Sequence, residues 1–370
     1  MMARARAMPS APRMNRVGAL MAHAARRHRL GFRALVLVLG VAFLSALTIG
    51  AMDLSVSAIL SDMAYRLGLP GAALDGAREA VFYQIRLPRA VLTLMTGAVL
   101  GVAGATLQGL FRNPLADPGL IGISSGAALA AALVIVAGSW LPALPPAIMP
   151  FLLPLAAFGG GLGATILVMR LARVGRAIDV GTLLLGGVAL NAVAGAGLGL
   201  AMYASTDQQL RDLTFWMLGS TAGADWSALA LALPFLGLPL LLLPGLARGL
   251  NALAMGETGA RHLGHPVDRL KRRAVVLVAL GVGAAVSLTG VIGFVGLVVP
   301  HIVRLLITAD HRFLLPGAAL MGAALLLLAD GLARTLVLPA ELPIGVITSA
   351  VGGPFFFWLL LRRKARGAAS

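Results

Sequence analysis

Apolar stretches of about twenty residues alternate with short polar or Gly- and Pro-containing breaks along most of the chain. A helix needs roughly 20 predominantly apolar residues to cross the hydrocarbon core of a bilayer. The pattern therefore predicts an all-α polytopic membrane protein with ten transmembrane helices. They are placed at 34–52, 88–111, 119–138, 148–170, 181–203, 226–246, 274–289, 293–308, 314–333 and 343–361. A basic tail (1–33) precedes this membrane domain (34–364), and a short tail (365–370) follows it.

The composition supports this interpretation and excludes a soluble protein. The chain is 59% hydrophobic and 12% charged, and its mean hydropathy is +0.92. Soluble domains carry about 25% charged residues. Cysteine is absent, so disulfides and thiolate metal sites are excluded.

Basic residues gather on one side of the predicted helices. With ten spans, 24 of the 30 Lys and Arg residues fall on the side of both termini. The positive-inside rule makes that side cytoplasmic, which predicts a multi-pass membrane protein with both termini in the cytoplasm. The net charge of +16 is explained by topology, and we expect no nucleic-acid partner. The opposite side receives Arg66, Arg78, Arg86, Arg89, Arg211 and Arg334.

Glycines are abundant in the predicted spans, and several of the 46 are clustered. Small residues let membrane helices approach each other closely. We expect such contacts at 159–161, 195–199 and 281–283, although small residues can also line a wide passage. Gly290, Gly293 and Gly296 interrupt the seventh and eighth spans.

The chain lacks the residues of several catalytic and energy-coupling sites. Neither of its lysines, Lys271 and Lys364, lies in the G-x-x-x-x-G-K-[ST] loop that binds ATP phosphates. No nucleophile–base pair or metal-ligand cluster is evident, so we predict neither an enzyme nor a metal site. Acidic residues are nearly absent from the middles of the spans, which argues against a proton-driven carrier. The energy for transport must then come from a partner or from a gradient coupled elsewhere.

Four segments together are specific enough to identify a family. They are RLPRAVLTLMTGAVLGVAGATLQGLFRNPLADPGLIGISSGAAL (86–129), LLLGGVALN (183–191), GVIGFVGLVVPHIVRLL (290–306) with ADHRFLLP (309–316), and LLLLADGLARTLVLPAELPIGVITSAVGGPFFFWLLL (325–361). The chain resembles the FecCD-type permeases of type II ABC importers. Gly290-Val291 replaces the more usual Gly-Pro of that family, and Gly353 stands where Ala is commoner.

The resemblance implies the composition of a complex. Such permeases are homodimers of ten-helix subunits that pair with two cytoplasmic ATPase subunits and receive substrate from a periplasmic binding protein. ATP and Mg would be bound by the ATPase, and no cofactor by this chain. The family carries haem, ferric siderophores or cobalamin.

Three arginines match the residues with which similar permeases dock the binding protein: Arg86, Arg89 and Arg334. Arg suits bidentate contact with a carboxylate, and complementary charges set orientation and speed encounter. Anchoring to lipid headgroups would also explain these arginines, and so would contact with a substrate carboxylate.

Two further segments match functional parts of the family on the predicted cytoplasmic side. Asn113 and Leu115 flank Pro114 in the turn that narrows the cytoplasmic exit, although a plain helix-ending turn fits the same residues. The segment 247–273 corresponds to the region that docks into the ATPase, and we expect two short helices in it. Gly256, Ala260 and Gly264 would permit tight seating there; a solvated basic loop is the alternative.

The predicted function is the permease step of an ATP-driven importer that moves an iron chelate from periplasm to cytoplasm. Haem is preferred, because an apolar cavity flanked by arginines suits a flat amphipathic anion. A ferric siderophore or cobalamin is the alternative substrate. A gradient-driven carrier or a channel is the alternative from another class.

Overall fold

A computed structural model describes residues 12–50, 52–138, 145, 147–175 and 177–367. Arg4, Arg6 and Arg176 of the predicted basic side, and the end of the C-terminal tail, lie outside these ranges. Within them the chain is nearly all helical, with one small antiparallel hairpin, β1 (Arg173–Val174) and β2 (Ala177–Ile178). The helices are α1 (Pro12–Thr48), α2 (Val56–Arg66), α3 (Gly76–Ala80), α4 (Leu87–Leu110), α5 (Ile123–Ala137), α6 (Met149–Leu171), α7 (Val180–Tyr203), α8 (Asp207–Leu218), α9 (Trp226–Leu242), α10 (Ala247–Leu253), α11 (Glu257–His262), α12 (Val267–Thr289), α13 (Val295–Leu306), α14 (His311–Thr335) and α15 (Ile344–Gly367).

Among the described residues, seven helical segments are long and apolar enough to cross a membrane. They are Arg26–Thr48, Gly76–Leu110, Met149–Leu171, Val180–Tyr203, Trp226–Leu253, Val267–Thr289 and His311–Thr335. The three remaining predicted spans coincide with shorter apolar helices: Ile123–Ala137, Val295–Leu306 and Ile344–Leu359. The all-helical membrane fold is confirmed, and each predicted span has a helix at its position.

Several helices extend beyond the predicted apolar spans. α1 begins at Pro12, inside the predicted tail, and α12 begins at Val267, before the predicted start of its span. Arg and Lys have good helix propensity, so a helix can continue from the bilayer into the aqueous phase. Hydropathy locates the membrane segment of a helix and not its ends.

α4 is the central helix of the fold. Twenty of its 24 residues are buried, and it packs against α14, α13, α12 and α9. It continues from α3 through a π-helical segment, Val81–Arg86. At a rise of 1.5 Å per residue, α4 is about 36 Å long, enough to reach from one membrane face to the other.

Glycines on α4 allow unusually close backbone contacts. A Cβ added at Gly104 would lie 1.9 Å from the carbonyl oxygen of Gly296 on α13. Gly97 lies similarly close to Gly322 on α14, where the added Cβ would lie 2.3 Å from the backbone oxygen. Only a residue without a side chain fits at such approaches.

The predicted interruption between the seventh and eighth spans is present. Gly290 ends α12 with φ +68°, and Phe294 precedes α13 with φ +67°. A side chain at Gly290 would collide with the backbone oxygen of Trp216, since an added Cβ would lie only 2.0 Å from it. The break therefore allows the short connection between α12 and α13 to lie against the end of α8.

The segment between α1 and α4 folds onto itself. Asp62 is buried and accepts hydrogen bonds from the Leu74 backbone N–H (2.9 Å), the Tyr83 hydroxyl (2.7 Å) and Arg66 Nε (2.9 Å). The bond from Leu74, followed by those from Tyr83 and Arg66, outweighs desolvation and lowers the pKa of Asp62. Arg66 also pairs with Glu79 at 2.5 Å. This network fixes α2 and α3 against the start of the central helix.

Candidate functional site

The three predicted docking arginines lie together at one end of the helix bundle. Arg89 donates from Nη2 to Asp330 Oδ1 at 2.9 Å and pairs through Nη1 with Glu341 Oε2, also at 2.9 Å. Arg334 Nε lies 3.1 Å from Asp330 Oδ2. We call Arg86, Arg89, Asp330, Arg334 and Glu341 the outer charge cluster. It joins the starts of α4 and α15 to the end of α14.

Asp330 is the centre of this cluster. Its side chain is 1% exposed, and it lies one turn from Arg334 on α14. The hydroxyl of Thr221, in the loop between α8 and α9, donates to its Oδ1 at 2.7 Å. One carboxylate thus holds two arginines and a loop, and it pairs buried charges that would otherwise be costly.

Arg86 and Arg334 also bind the carboxyl end of α1. Arg86 Nη1 donates to the carbonyls of Leu47 (2.9 Å) and Thr48 (2.7 Å), and its Nη2 donates to Met52. Arg334 Nη2 donates to the carbonyl of Ala46 at 3.2 Å. The last turn of α1 contains no basic residue of its own. The two guanidinium groups therefore satisfy the unpaired carbonyls and the negative end of its helix dipole.

The geometry gives the three arginines a structural role that the sequence did not predict. Arg86, Arg89 and Arg334 are each less than 8% exposed and bond to groups of their own chain. Glu341, in contrast, has a side chain that is 42% exposed. Docking through these arginines stays a prediction, and the Arg89–Glu341 pair is the accessible edge of the cluster.

At the other end of α4 the predicted exit turn has a fixed geometry. The side chain of Asn113 accepts a hydrogen bond from the Leu115 backbone N–H at 2.9 Å, and its carbonyl accepts one from Ala116 N–H at 3.1 Å. Arg112 precedes it with φ +50°. Asn113 and Leu115 are exposed. The turn is rigid and presents Leu115 outward, and its role as a gate stays a prediction.

The predicted coupling segment contains the two short helices expected, α10 and α11. Gly256 and Gly264 adopt positive φ (+95° and +80°), which allows the chain to reverse on both sides of α11. Ala260 is fully buried within its own chain. Its small side chain therefore serves internal packing. Met255 and Leu263, which flank α11, are 66% and 58% exposed.

A buried lysine fixes α11 to the rest of the fold. Lys271 Nζ donates to the Ile178 carbonyl at 2.8 Å and pairs with Glu257 Oε1 at 2.6 Å. Arg261 adds a weaker pair to Asp268 at 3.4 Å. These contacts connect the coupling segment to α12 and to the β hairpin. The sequence placed Lys271 only as one charge in a basic loop.

A cavity of about 340 Å³ lies between the exit turn and the coupling segment. Arg304 donates to Gln108 Oε1, and Gln108 Nε2 donates to the Gly296 carbonyl at 3.2 Å. On the other side Asn251 of α10 donates to Asp310 at 2.6 Å and accepts from the His311 backbone N–H at 3.0 Å. The structure thus brings together two regions that the sequence predicted separately. The cavity is lined by Gln108, Arg112, Pro114, Ala254, Arg304 and His311, among others.

Comparison with known proteins identifies the family. The sequence model of the FecCD transport family matches residues 37–362. The chain belongs to the FecCD transport family. It is a membrane permease subunit of an ABC importer, and ATP hydrolysis belongs to a separate chain. This assignment removes the gradient-driven carrier and the channel.

Relatives and a solved structure agree with this family over most of their length. The hemin transport system permease of Yersinia pestis is 46% identical over 91% of this chain and 96% of its own. A vitamin B12 import permease of Serratia proteamaculans is 42% identical over 92% and 96%, and one of Salmonella schwarzengrund is 45% identical over 79% and 87%. An inward-facing metal-chelate type ABC transporter has a TM-score of 0.77 and 32% identity, covering 90% of this chain and 99% of that one.

The anionic half of the outer charge cluster was not predicted from the sequence of this FecCD permease. Neither Asp330 nor Glu341 was among the predicted site residues. The spacing of Asp330 and Arg334, four residues apart on a helix, was a usable signal. Asn251 had no signal in the sequence. No group of three or more His, Asp or Glu residues with metal-binding geometry occurs in the described part of the chain.

Proposed function

We propose that this FecCD permease is the translocation subunit of a haem importer. The supporting observation is its 46% identity to a hemin permease over nearly the full length of both chains. Relatives named for vitamin B12 are 42–45% identical, so cobalamin is the second candidate. A ferric siderophore is the third substrate class within the family.

Parallel transport assays distinguish these three candidate substrates. The complete importer would be reconstituted in vesicles with its binding protein, and ATP-dependent uptake of haem, cobalamin and a ferric siderophore would be compared. We expect ATP-dependent uptake of haem and stimulation of the ATPase by haem-loaded binding protein. Uptake of cobalamin alone would replace the proposed substrate while leaving the importer assignment intact.

The proposed complex is a homodimer with two ATPase subunits and one periplasmic binding protein in the bacterial inner membrane. Both termini and the coupling segment lie in the cytoplasm, and the outer charge cluster faces the periplasm. α4 joins the two functional ends, because it carries Arg89 near one end and Gln108 near the other. Charges at the outer end orient the loaded binding protein.

Docking in this proposal proceeds by exchange of a carboxylate. Glu341 is the exposed partner of Arg89, whereas Asp330 is its buried partner. A carboxylate of the binding protein can replace Glu341 on Arg89 Nη1 without disturbing Asp330. The buried contacts then hold the guanidinium in position.

Removing Glu341 should therefore strengthen docking. We expect Glu341→Gln to tighten the binding protein by roughly twofold to fivefold, because an exposed ion pair contributes about 0–1 kcal/mol. Interferometry with the permease in nanodiscs would measure the affinity of the binding protein. Glu79→Gln removes an exposed carboxylate of the same predicted face as the matched control. Weaker docking of the Glu341 variant alone would contradict the exchange.

Coupling to the ATPase should depend on the two exposed apolar residues beside α11. We expect Met255→Ser with Leu263→Ser to weaken ATPase association by roughly tenfold or more, since buried apolar anchors dominate interface energies. Co-purification would measure ATPase association, and ATP-driven uptake would measure the effect on transport. Leu67→Ser with Leu69→Ser alters two equally exposed residues of the opposite face as a control. An intact complex with full uptake in the Met255 and Leu263 variant would contradict this role.

In the same proposal, the exit turn narrows the transport path at its cytoplasmic exit. Asn113 fixes the turn through its side-chain oxygen, and Leu115 supplies the exposed apolar surface. α10 packs against α4, which carries Gln108, and against α14, so movement of α10 reaches the exit turn through these helices. ATPase-driven movement of the coupling segment thereby changes the exit.

A further inference from the structure

A basic pocket lies at the predicted cytoplasmic end of α1. Arg26 and Arg27 line a cavity of about 490 Å³ together with Leu30, Ala34 and Leu306. Arg27 donates from Nε to the Leu306 carbonyl at 2.9 Å and from Nη2 to Leu305 at 2.8 Å. This seats its guanidinium over the carboxyl end of α13. The pocket has positive charge at its mouth and apolar walls below.

The arginines of this pocket have no carboxylate partner in the described part of the chain. Arg27 bonds to neutral carbonyls, and neither Arg26 nor Arg27 forms an ion pair with a carboxylate there. The sequence has no acidic residue before Asp53. Arg29 and Arg33, both exposed, add further positive charge on the same helix. The site suits an anion.

A second cavity lies deeper along the same helix and is almost entirely apolar. Its volume is about 240 Å³, and it lies between α1, α13, α14 and α15. On α1, Val38 lines this cavity. Other lining residues are Val298, Met321, Leu325, Leu328 and Val351.

The spacing of the two cavities along α1 matches the thickness of one lipid leaflet. Arg27 and Val38 are eleven residues apart on one helix, which corresponds to about 16 Å. The hydrocarbon core of one leaflet is about 15 Å thick, half of the total. A charged headgroup at Arg26 and Arg27 therefore places its acyl chains beside Val38. The exposed apolar side chains of Leu30 and Val41 continue along the same helix.

We propose that the basic pocket and the apolar cavity together form a binding site for one anionic phospholipid of the cytoplasmic leaflet. The phosphate contacts Arg26 and Arg27, and an acyl chain occupies the apolar cavity at Val38. A basic pocket between membrane helices on the cytoplasmic side is the chemistry that recognises such headgroups. Lipid bound here joins α1 to α13 and α15. The site needs no particular transported substrate.

Native mass spectrometry of the purified full-length permease tests the site. Phosphatidylglycerol and phosphatidylcholine would be titrated into delipidated protein. We expect one phosphatidylglycerol to bind tightly, with Arg26→Gln weakening it roughly fivefold, the contribution of one arginine near an anionic surface. Val38→Trp should weaken both lipids by filling the apolar cavity. Equal affinity of the wild-type protein for the two lipids would overturn the proposal.

Matched variants separate the site from general effects. Arg170→Gln removes an exposed arginine of the same predicted face, and Leu37→Trp adds bulk to an exposed residue outside both cavities. Neither should change lipid binding. A photo-crosslinking residue at Val38 should yield a lipid adduct in native membranes. A protein–protein adduct at this position would instead place a second copy of the chain in the apolar cavity and overturn the proposal.

Discussion

Replacing Asp330 with asparagine should remove most of the folded permease from the membrane. The carboxylate is buried between Arg89 and Arg334 and accepts the hydroxyl of Thr221. Asparagine keeps the size of the side chain and removes its charge, which leaves two buried cations with only the half-exposed Glu341. Breaking a buried ion pair from one side costs about 3–5 kcal/mol, comparable to much of a protein's total stability.

Two companion variants show whether charge is the cause. Glu341→Gln alters the exposed partner and should cost less than about 1 kcal/mol. Combining Asp330→Asn with Arg89→Met removes one of the two cations, the one whose side chain bonds only to carboxylates, and should recover part of the loss. Fluorescence-detected size-exclusion chromatography after a heating series would measure the thermal midpoint of each. A thermal midpoint of the single Asp330 variant equal to that of the wild type would refute the central role of this carboxylate.

The cluster at Asp330 shows what the sequence could and could not predict. Hydropathy and charge bias placed Arg86, Arg89 and Arg334 at one end of the bundle, because both depend only on position along the chain. Their partners depend on which helices become neighbours. Arg89 and Asp330 are 241 residues apart, and no local pattern pairs them. The capping of α1 by Arg86 and Arg334 was unpredictable for the same reason.

The same distinction holds at the predicted cytoplasmic end. The two short helices of the coupling segment follow from Gly256, Gly264 and Pro266, which are local signals. The burial of Ala260 does not, because a small residue suits an interface and an interior equally well. The cavity that joins this segment to the exit turn arises from packing of α10 against α14 and α4.

The glycine clusters predicted close helix contacts correctly, but not which glycine makes them. An added Cβ would lie 2.4 Å from the Gly126 carbonyl oxygen at Gly160, 2.8 Å from the Leu129 side chain at Gly197 and 2.8 Å from the Val99 side chain at Gly281. At Gly159, Gly195 or Gly199, in the same clusters, it would meet nothing within 4 Å. Other close contacts are at Gly97, Gly101 and Gly104, spaced along α4 rather than clustered. The face of the helix on which a glycine lies thus decides whether it makes a contact.

Gly104→Ala should therefore be strongly destabilising although it adds a single methyl group. That group would lie 1.9 Å from the Gly296 carbonyl oxygen and 2.5 Å from its carbonyl carbon. Both are backbone atoms, so α4 and α13 must separate. Overpacking costs about 1–3 kcal/mol and more where the backbone must shift. Because α4 joins both functional ends, we expect transport to fall together with the thermal midpoint.

The same substitution at Gly159 is the matched control. It lies within α6, meets no atom within 4 Å, and gains helix propensity of up to about 1 kcal/mol. Gly159→Ala should leave the permease as stable as the wild type or more so, while Gly160→Ala, one residue further along, should destabilise it. Equal thermal midpoints for the Gly104, Gly159 and Gly160 variants would mean that the close approach of α4 and α13 does not determine stability. The expected order isolates backbone contact as the cause, since all three variants add the same atom to a helix.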